Sequence, residues 1–497
     1  MGALNMIQLP SLHLATFSSF ISPSISQSPL MKTLTPTRRS ITRSFSLKSF
    51  LDLTPEYKPL QSLNIDLETH DFTGGSPDYD AVIIGCGPSG LRLASLASKH
   101  GLHICCVDPS PLLLWPNNYG VWVDEFEAMN LTDTLDKVWP SATVIINDQK
   151  SKHLHRSYGR VNRNYLKSKL IQACVSNGVK FHVAKAWKVE HQEFKSTVLC
   201  SDGKELNASL VIDASGFTTS FMEYENTLKR NHGYQLAHGI LAEVEHHPFE
   251  LDKMVLMDWR DEHLGNEPYL RARNETTPTF LYAMPLSSDL IFLEETSLVS
   301  RPVMSYREVK QRMVARLRHL GIKVKSVVED EKCLIPMGGP LPRLPQSVVG
   351  VGGAAGLVHP STGYMMARAL GVAELMAEAM VECLGSVRMV RGKALQRKVW
   401  TSVWSGERMR EREIYCFGME TLLQLGLKGT RNFFDAFFDL DPYYWHGFLS
   451  SSLSLEELAL LCLSLFAHGS LPSRMDIVTK CPLPLARLVA NLANQAI

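Results

Sequence analysis

The sequence predicts an α/β protein: a parallel sheet flanked by helices and assembled from two separated segments, with a mostly antiparallel β domain inserted between them and a helical C-terminal region. Three observations carry this. An apolar run from Ala81 to Ile84 leads into Gly85-Cys86-Gly87-Pro88-Ser89-Gly90, then an apolar-periodic helix, then a second apolar run ending on Asp108. A glycine-rich strand-to-helix passage returns late, in "SVVGVGGAAGLVHPSTGYMMARAL" (347–370). Between the two lie β-rich stretches such as "FLYAMP" and "LIFLEET", and beyond them apolar and aromatic residues recur at helical spacing.

The start of the chain is different in kind. Residues 1–50 contain no Asp or Glu, are rich in Ser and Thr, and carry charge only at Lys32, Arg38, Arg39, Arg43 and Lys48. Such a leader resembles an organellar transit peptide, plastid rather than mitochondrial because hydroxyl residues dominate over Arg. Residues 51–77 read as a linker ending in "TGGSP". At 497 residues, 45% hydrophobic and 20% charged with net charge +1, the chain is globular, and its charge balance argues against nucleic acid as a partner. The ten cysteines show no CxxC pair and no zinc-type spacing with histidine, so they are expected as small core residues in a reducing compartment, and no metal is expected. No window of 18 uninterrupted apolar residues follows the leader, so no membrane-spanning helix is expected.

Residues 78–225 and 325–385 are expected to build a Rossmann-type dinucleotide-binding domain. Gly85 allows the tight turn, Gly87 lets backbone approach a pyrophosphate at the helix N-terminus, and Gly90 permits close helix-to-strand contact. Asp108 is placed to accept from a ribose hydroxyl. In the late passage, Gly352, Gly353 and Gly356 offer unhindered backbone, and a helix from about Gly363 points its positive end at the ligand. Arg163 or Arg160, near a helix start, and Asp213, at the end of the strand "LVID", complete the expected cofactor set. A late return to the nucleotide favours FAD over NAD, and the order of the pieces resembles the FAD-dependent hydroxylase and glutathione-reductase class. One departure stands out: where that class carries GDAAH, this chain has Gly353-Ala354-Ala355-Gly356. No Cys or His suggests covalent attachment of flavin.

The inserted domain is expected at 226–324 and contains the pair Glu294-Glu295. Strand side chains alternate, so Phe292 and Glu294 share one face while Leu293 and Glu295 share the other. One carboxyl then points into any given cavity. If that cavity is apolar, the charged form is disfavoured and a neutral acid results.

Six stretches, "FLEET", "LWPNNYGVWVDEFEAM", "MDWRD", "IPMGGPLP", "GLVHPSTGYM" and "FFDLDPYYWHGFLSS", resemble the plant lycopene β-cyclase family, over essentially everything from about Asp78 onward. "FLDLTPEYKP", "CCVDPSPLLLWPNNYG" and "HLGNEPYLR" resemble its chromoplast-type branch, which includes capsanthin/capsorubin synthase and neoxanthin synthase. The resemblance implies an FAD enzyme kept reduced by NADPH, which forms β rings from lycopene, or κ rings from antheraxanthin or violaxanthin, without net redox change. A carotenoid mono-oxygenase on the same framework is the alternative reaction class. The resemblance makes Glu294 and Glu295 the acid/base motif, with Glu294 the first candidate for the acid. Trp259, Asp258 and Trp122 are the candidate substrate contacts, while His359 is expected to be structural. Residues 386–497 are expected to cap the cavity with helices. Composition favours a core helix over 455–470, and part of the region is the candidate for resting on a plastid membrane, where other carotenoid-pathway enzymes are possible neighbours.

Overall fold

The computed structural model describes residues 61–69, 75–217, 221–225, 231–385 and 389–495. The expected leader and most of the expected linker lie outside them.

The chain enters through β1 (Asp78–Ile84), turns into α1 (Pro88–Lys99) and returns as β2 (Ile104–Val107). It then leaves for β3 (Gly120–Trp122), α2 (Val123–Ala128), β4 (Leu135–Trp139), β5 (Ser141–Asn147), β6 (Lys150–Leu154) and β7 (Tyr158–Val161). It comes back through α3 (Arg163–Ser176), started by the Asn162 side chain accepting from the Tyr165 N–H. There follow β8 (Lys180–His182), β9 (Ala186–His191), β10 (Ser196–Cys200) and β11 (Glu205–Asp213). The parallel core is β8-β2-β1-β11, and the short late strand β17 (Val348–Gly350) pairs in parallel with β11, so the two predicted halves meet in one sheet. Against this sheet pack α1 and α6 (Met366–Leu384), whose Leu91, Leu370 and Met376 share a core with Ile83 and Ile212. The helix expected from about Gly363 begins later, at Met366, because Gly363 sits at φ +75° and turns the backbone first.

The second sheet runs β16-β12-β15-β14-β13-β5-β6, built from β12 (Gly233–Val244), β13 (Lys253–Asp258), β14 (Thr279–Pro285), β15 (Leu290–Ser297) and β16 (Val324–Met337) with the earlier β5 and β6. Its extent differs from the expected 226–324. β12 is a long strand and needs an equally long partner, so β16 continues to Met337, in register from Gly233↔Met337 to Val244↔Val324. On the far side, β5 closes the open edge of β13 in parallel register, which draws in residues 141–154. A small third sheet, β3-β7-β4, bridges the two.

The two faces of the second sheet have different company. On one, Leu281 and Leu293 pack on Met313 and Leu317 of a helix, α5 (Tyr306–His319), that follows α4 (Pro268–Thr276). On the other, Phe280, Met284 and Phe292 meet the C-terminal helices through Phe434, Phe437 and Trp445. Those helices are α7 (Gly392–Val403), α8 (Gly406–Leu422), α9 (Leu427–Phe437), α10 (Pro442–Ser450), α11 (Leu455–His468), α12 (Leu471–Lys480) and α13 (Pro482–Gln495). A capping box between Ser454 and Glu457 starts α11, yet only Leu458 and Leu461 of its large apolar residues are buried, so it is not the core helix that composition suggests.

Strand alternation separates the two adjacent acids. Glu295, fully buried, turns to the α5 face, where Arg316 binds it through Nε at 2.7 Å and Nη2 at 3.0 Å, and the Thr279 hydroxyl also donates to it. Removing one member of a buried pair leaves an uncompensated charge, a cost of roughly 3–5 kcal/mol. Glu295→Gln is therefore expected to lower the denaturant midpoint by that much stability with an unchanged slope. An unaltered midpoint would show that the pair carries no such weight.

Candidate active site

The glycine turn after β1 has the geometry the fingerprint demands. Gly85 lies at φ +111°, and a Cβ there would come within 2.7 Å of the Ala214 carbonyl oxygen. A Cβ on Gly90 would approach the Gly85 carbonyl oxygen at 2.3 Å, so helix and strand touch through backbone. At Gly87, by contrast, only the Ala214 oxygen is near, at 3.8 Å, and α1 begins there with Pro88 and no side-chain cap, which leaves its first N–H groups free for a ligand. Asp108, at the end of β2, accepts from the Cys86 N–H at 2.8 Å and the Ser110 N–H at 2.7 Å. A carboxylate offers about four lone-pair sites, so two remain for a ribose hydroxyl.

Gly85, Gly87, Asp108, Gly352 and Gly353 all line one cavity of about 580 Å³, and at its other end stand Phe292, Glu294 and Glu331. The glycine turn and the Glu294 carboxyl thus open on the same space. Glu294 also lines a smaller adjoining chamber of about 180 Å³, walled by Trp122, Leu256, Met257, Phe280 and Leu449. Tyr158, Tyr282 and Tyr364 stand at the seam between the two. The Tyr282 hydroxyl donates to that of Tyr158 at 3.2 Å, and the Tyr364 hydroxyl donates to Glu125 at 2.7 Å.

Sheet register supplies Glu294 with a partner. On the central strand β12, Gly239 is opposite Glu294 of β15 on one side and Glu331 of β16 on the other. A Cβ at Gly239 would lie 2.8 Å from Glu331 Cγ and 2.8 Å from the Phe292 ring, so glycine is what lets the two carboxyls meet above the sheet. The two carboxyls are close enough to raise each other's proton affinity. Burial, then the neighbouring Glu331 carboxyl, pushes Glu294 up to about 8. Burial likewise pushes Glu331 up to about 7, against the pull of its hydrogen bonds from Asn118. Those bonds come from the Asn118 N–H at 2.8 Å and Nδ2 at 3.1 Å, both to Oε2. Asn118 is itself held by Arg160, which donates to its Oδ1 at 2.9 Å and pairs with Asp136.

Several expected site residues lie elsewhere. Arg163 does not line the cavity. It donates to the Trp115 and Pro116 carbonyls and pairs with Glu329 at 2.6 Å, so it braces the loop that bears Asn118. Asp213 is fully buried beneath the turn, where its Oδ1 accepts from the Ser215 N–H and hydroxyl, while the following Ala214, Ser215 and Gly216 form the cavity wall. Gly356 lines a neighbouring cavity of about 320 Å³. Asp258 turns away from the chamber that Met257 lines and binds Arg260 at 2.6 Å. Trp259 is packed between Phe280 and Phe434 with ring centroids 4.7 and 5.5 Å away, a core residue and not a wall. Glu295 faces α5 and not the cavity. His359 is fully buried, in hydrogen-bonding contact with the Phe448 carbonyl, and burial pushes it down to about 3.

Sequence reasoning missed Glu331, Gly239, Asn118 as a ligand of Glu331, and the tyrosines. The one available signal was a glycine in the middle of the strand-like "YQLAHGILAEV", which marks a close approach.

The family profile described as "Lycopene cyclase protein" matches residues 80–475. A capsanthin/capsorubin synthase of Citrus sinensis is 64% identical over 456 residues, covering 92% of this chain and 90% of that one. A neoxanthin synthase of Solanum lycopersicum is 61% identical, covering 96% and 95%, and a lycopene beta cyclase of Arabidopsis thaliana is 56% identical, covering 90% and 89%. Among solved structures, a geranylgeranyl bacteriochlorophyll reductase-like protein from Thermoplasma acidophilum superposes with a TM-score of 0.60 at 14% identity, over 84% of this chain and 100% of that one. The OxyS anhydrotetracycline hydroxylase from Streptomyces rimosus gives 0.53 at 13%, over 75% and 76%. These two likenesses establish the hydroxylase-like α/β fold. With a glycine turn and a half-buried carboxyl on one cavity, and the family profile spanning most of its length, the chain belongs to the lycopene cyclase family.

Proposed function

We propose that this chain is a carotenoid cyclase that closes β-ionone rings on lycopene, through γ-carotene to β-carotene, by protonation and with no net redox change. The observation that supports it most is the position of the Glu294 carboxyl, pushed up to about 8 by burial, at the seam between a glycine-lined cavity and an apolar chamber. An alkene is a poor base, so its protonation calls for an un-ionised acid held in a dry, shaped space. In this reading the ψ end of the polyene lies in the apolar chamber, and Glu294 delivers its proton to the terminal double bond. The 5,6 double bond attacks the resulting cation, and loss of the C6 proton completes the ring. The faces of Trp122, Tyr158 and Phe280 steady the positive charge, each by ~1–2 kcal/mol when desolvated.

The cavity fits FAD: Gly85, Gly87, Gly352 and Gly353 present bare backbone to its phosphates and ribityl chain, and Asp108 has lone pairs to spare for its ribose. Reduced FAD, with NADPH as the proposed reductant, would supply negative field beside the cation. Glu295 belongs in this reading to the packing of α5 and not to the chemistry.

A second reading, κ-ring formation from 5,6-epoxide ends, is favoured by the higher identity to the capsanthin/capsorubin synthase, 64% against 56% for the lycopene beta cyclase. Both reactions start from the same neutral acid. A plastid setting is supported by the names of the relatives, which are chloroplastic or chromoplastic.

Access from lipid is proposed through the C-terminal helices. Among the described residues no helix is long and apolar enough to cross a membrane. Yet Leu460, Leu463 and Phe466 of α11, Leu471, Met475 and Val478 of α12, and Leu483, Leu485 and Val489 of α13 are exposed, a concentration that suits a peripheral membrane contact.

Glu294→Gln is expected to lower ring formation by at least 10²-fold while the purified protein keeps its flavin absorbance; normal β-carotene output would remove Glu294 as the acid. Pigments identified after expression in lycopene-accumulating cells, and separately in antheraxanthin- or violaxanthin-accumulating cells, decide between β and κ rings, and product formed without oxygen eliminates the mono-oxygenase. In vesicle flotation, a Leu463→Asp/Leu471→Asp variant is expected to lose most binding to lipid, and undiminished binding would rule out this surface.

A further inference from the structure

We propose that Glu331 is the base of the reaction: it holds the proton on Glu294 beforehand and takes up the proton released from C6 afterwards. This rests on the reading of Glu294 as the acid. Three geometric facts carry it. Glu331 lines the same cavity as Glu294. The two stand opposite the same glycine on either side of β12, so register fixes them as neighbours. And among the described residues only Glu331 of the two receives donors from the protein framework: the Asn118 N–H and amide both bind its Oε2, and Asn118 Nδ2 also donates to Glu329, which Arg163 neutralises. Donors aimed at one carboxyl of a pair favour the charge there and leave the shared proton on the other.

The step balances. The O–H bond of Glu294 breaks as a C–H bond forms at the terminal alkene carbon, and the 5,6 π electrons make the new C–C bond. The C6–H bond then breaks, its electrons become the ring double bond, and the proton goes to the Glu331 carboxylate. The pair ends with as many protons as it began with, and transfer from Glu331 to the neighbouring Glu294 restores the starting arrangement. No oxidant or reductant is consumed.

A bell-shaped dependence of kcat on pH follows. Glu331 must be ionised, so activity falls as pH drops through its value, about 7; Glu294 must be protonated, so activity falls as pH rises through its own, about 8. Burial also pushes Glu125, which accepts from Tyr364, up to about 7, so the Glu331 variants below assign the low-pH limb. Tyr158 on β7, Tyr282 on β14 and Tyr119 are held above their ordinary values by burial, Cys333 on β16 is pushed up to about 12, and Arg163 and Glu329 are ion-paired.

The test uses the full chain with FAD and lycopene in lipid vesicles. Glu331→Gln, which cannot accept a proton, is expected to lower kcat by roughly 10²-fold or more with KM and flavin content unchanged, and to erase the low-pH limb from the residual activity. Glu331→Asp is expected to restore part of the rate together with that limb. Asn118→Leu removes a donor from the ionised form and is expected to move the low-pH limb upward by about one pH unit. Wild-type kcat and pH profile in Glu331→Gln would overturn the proposal even if Glu294→Gln is inactive; an active Glu294→Gln would instead overturn the reading beneath it. Should Glu331→Gln lose its flavin, Asn118→Leu decides, and an unmoved low-pH limb counts against Glu331.

Discussion

Two carboxyl groups cannot both stay charged side by side in an apolar cavity, so one must hold a proton or the site must open to water. The arrangement around Gly239 brings the two carboxyls together. A strand lies between them, and that strand gives up its side chain at the one place where the acids must meet. A single-residue slip of β15 against β12 would exchange Glu294 for Leu293 or Glu295 over the cavity, so the long register of β12 with β15 and β16 fixes which group meets the ligand. Adjacent acids then have opposite fates. Glu295 is paired with an arginine in a core, while burial and the Glu331 carboxyl push Glu294 toward its neutral form in a cavity.

The cavity belongs to both sheets because the loop after β2 joins them. Trp115 donates from Nε1 to the Cys86 carbonyl in the glycine turn, Arg163 holds the Trp115 and Pro116 carbonyls, and Asn118, in the same loop, binds Glu331. One short segment therefore runs from the nucleotide turn to the acid pair, supported by the bridging sheet β3-β7-β4. The position of the donors on Glu331 is tied through it to the conformation of the glycine turn.

How much of this could be read in the sequence depended on whether the cause was local. The turn at Gly85–Gly90 is dictated by backbone sterics within a few residues, and the split between Glu294 and Glu295 follows from the two-residue period of a strand, so both were legible. The extents of β16 and of the β5–β6 hairpin were not, because they answer to a distant partner strand. Glu331 was hidden for the same reason. In "VVEDEKCLIPM" it stands in a run of three acids and a lysine that looks like a solvated edge, and only pairing with β12 turns it inward. Arg163 and Asp213 sit next to the site in sequence and in space, but their side chains are spent on shaping backbone, a distinction that spacing cannot express.

The chamber beyond Glu294 is small, about 180 Å³, and so has room for one terminus of a long polyene at a time. A symmetrical pigment with two such termini must then be handled in separate visits, with a half-finished molecule withdrawing and turning end for end before it can be completed. Whether that molecule is reversed at the protein surface or escapes into the surrounding lipid becomes a contest of rates. The ratio of singly to doubly closed pigment would then depend on how long the intermediate lingers as well as on the speed of proton transfer.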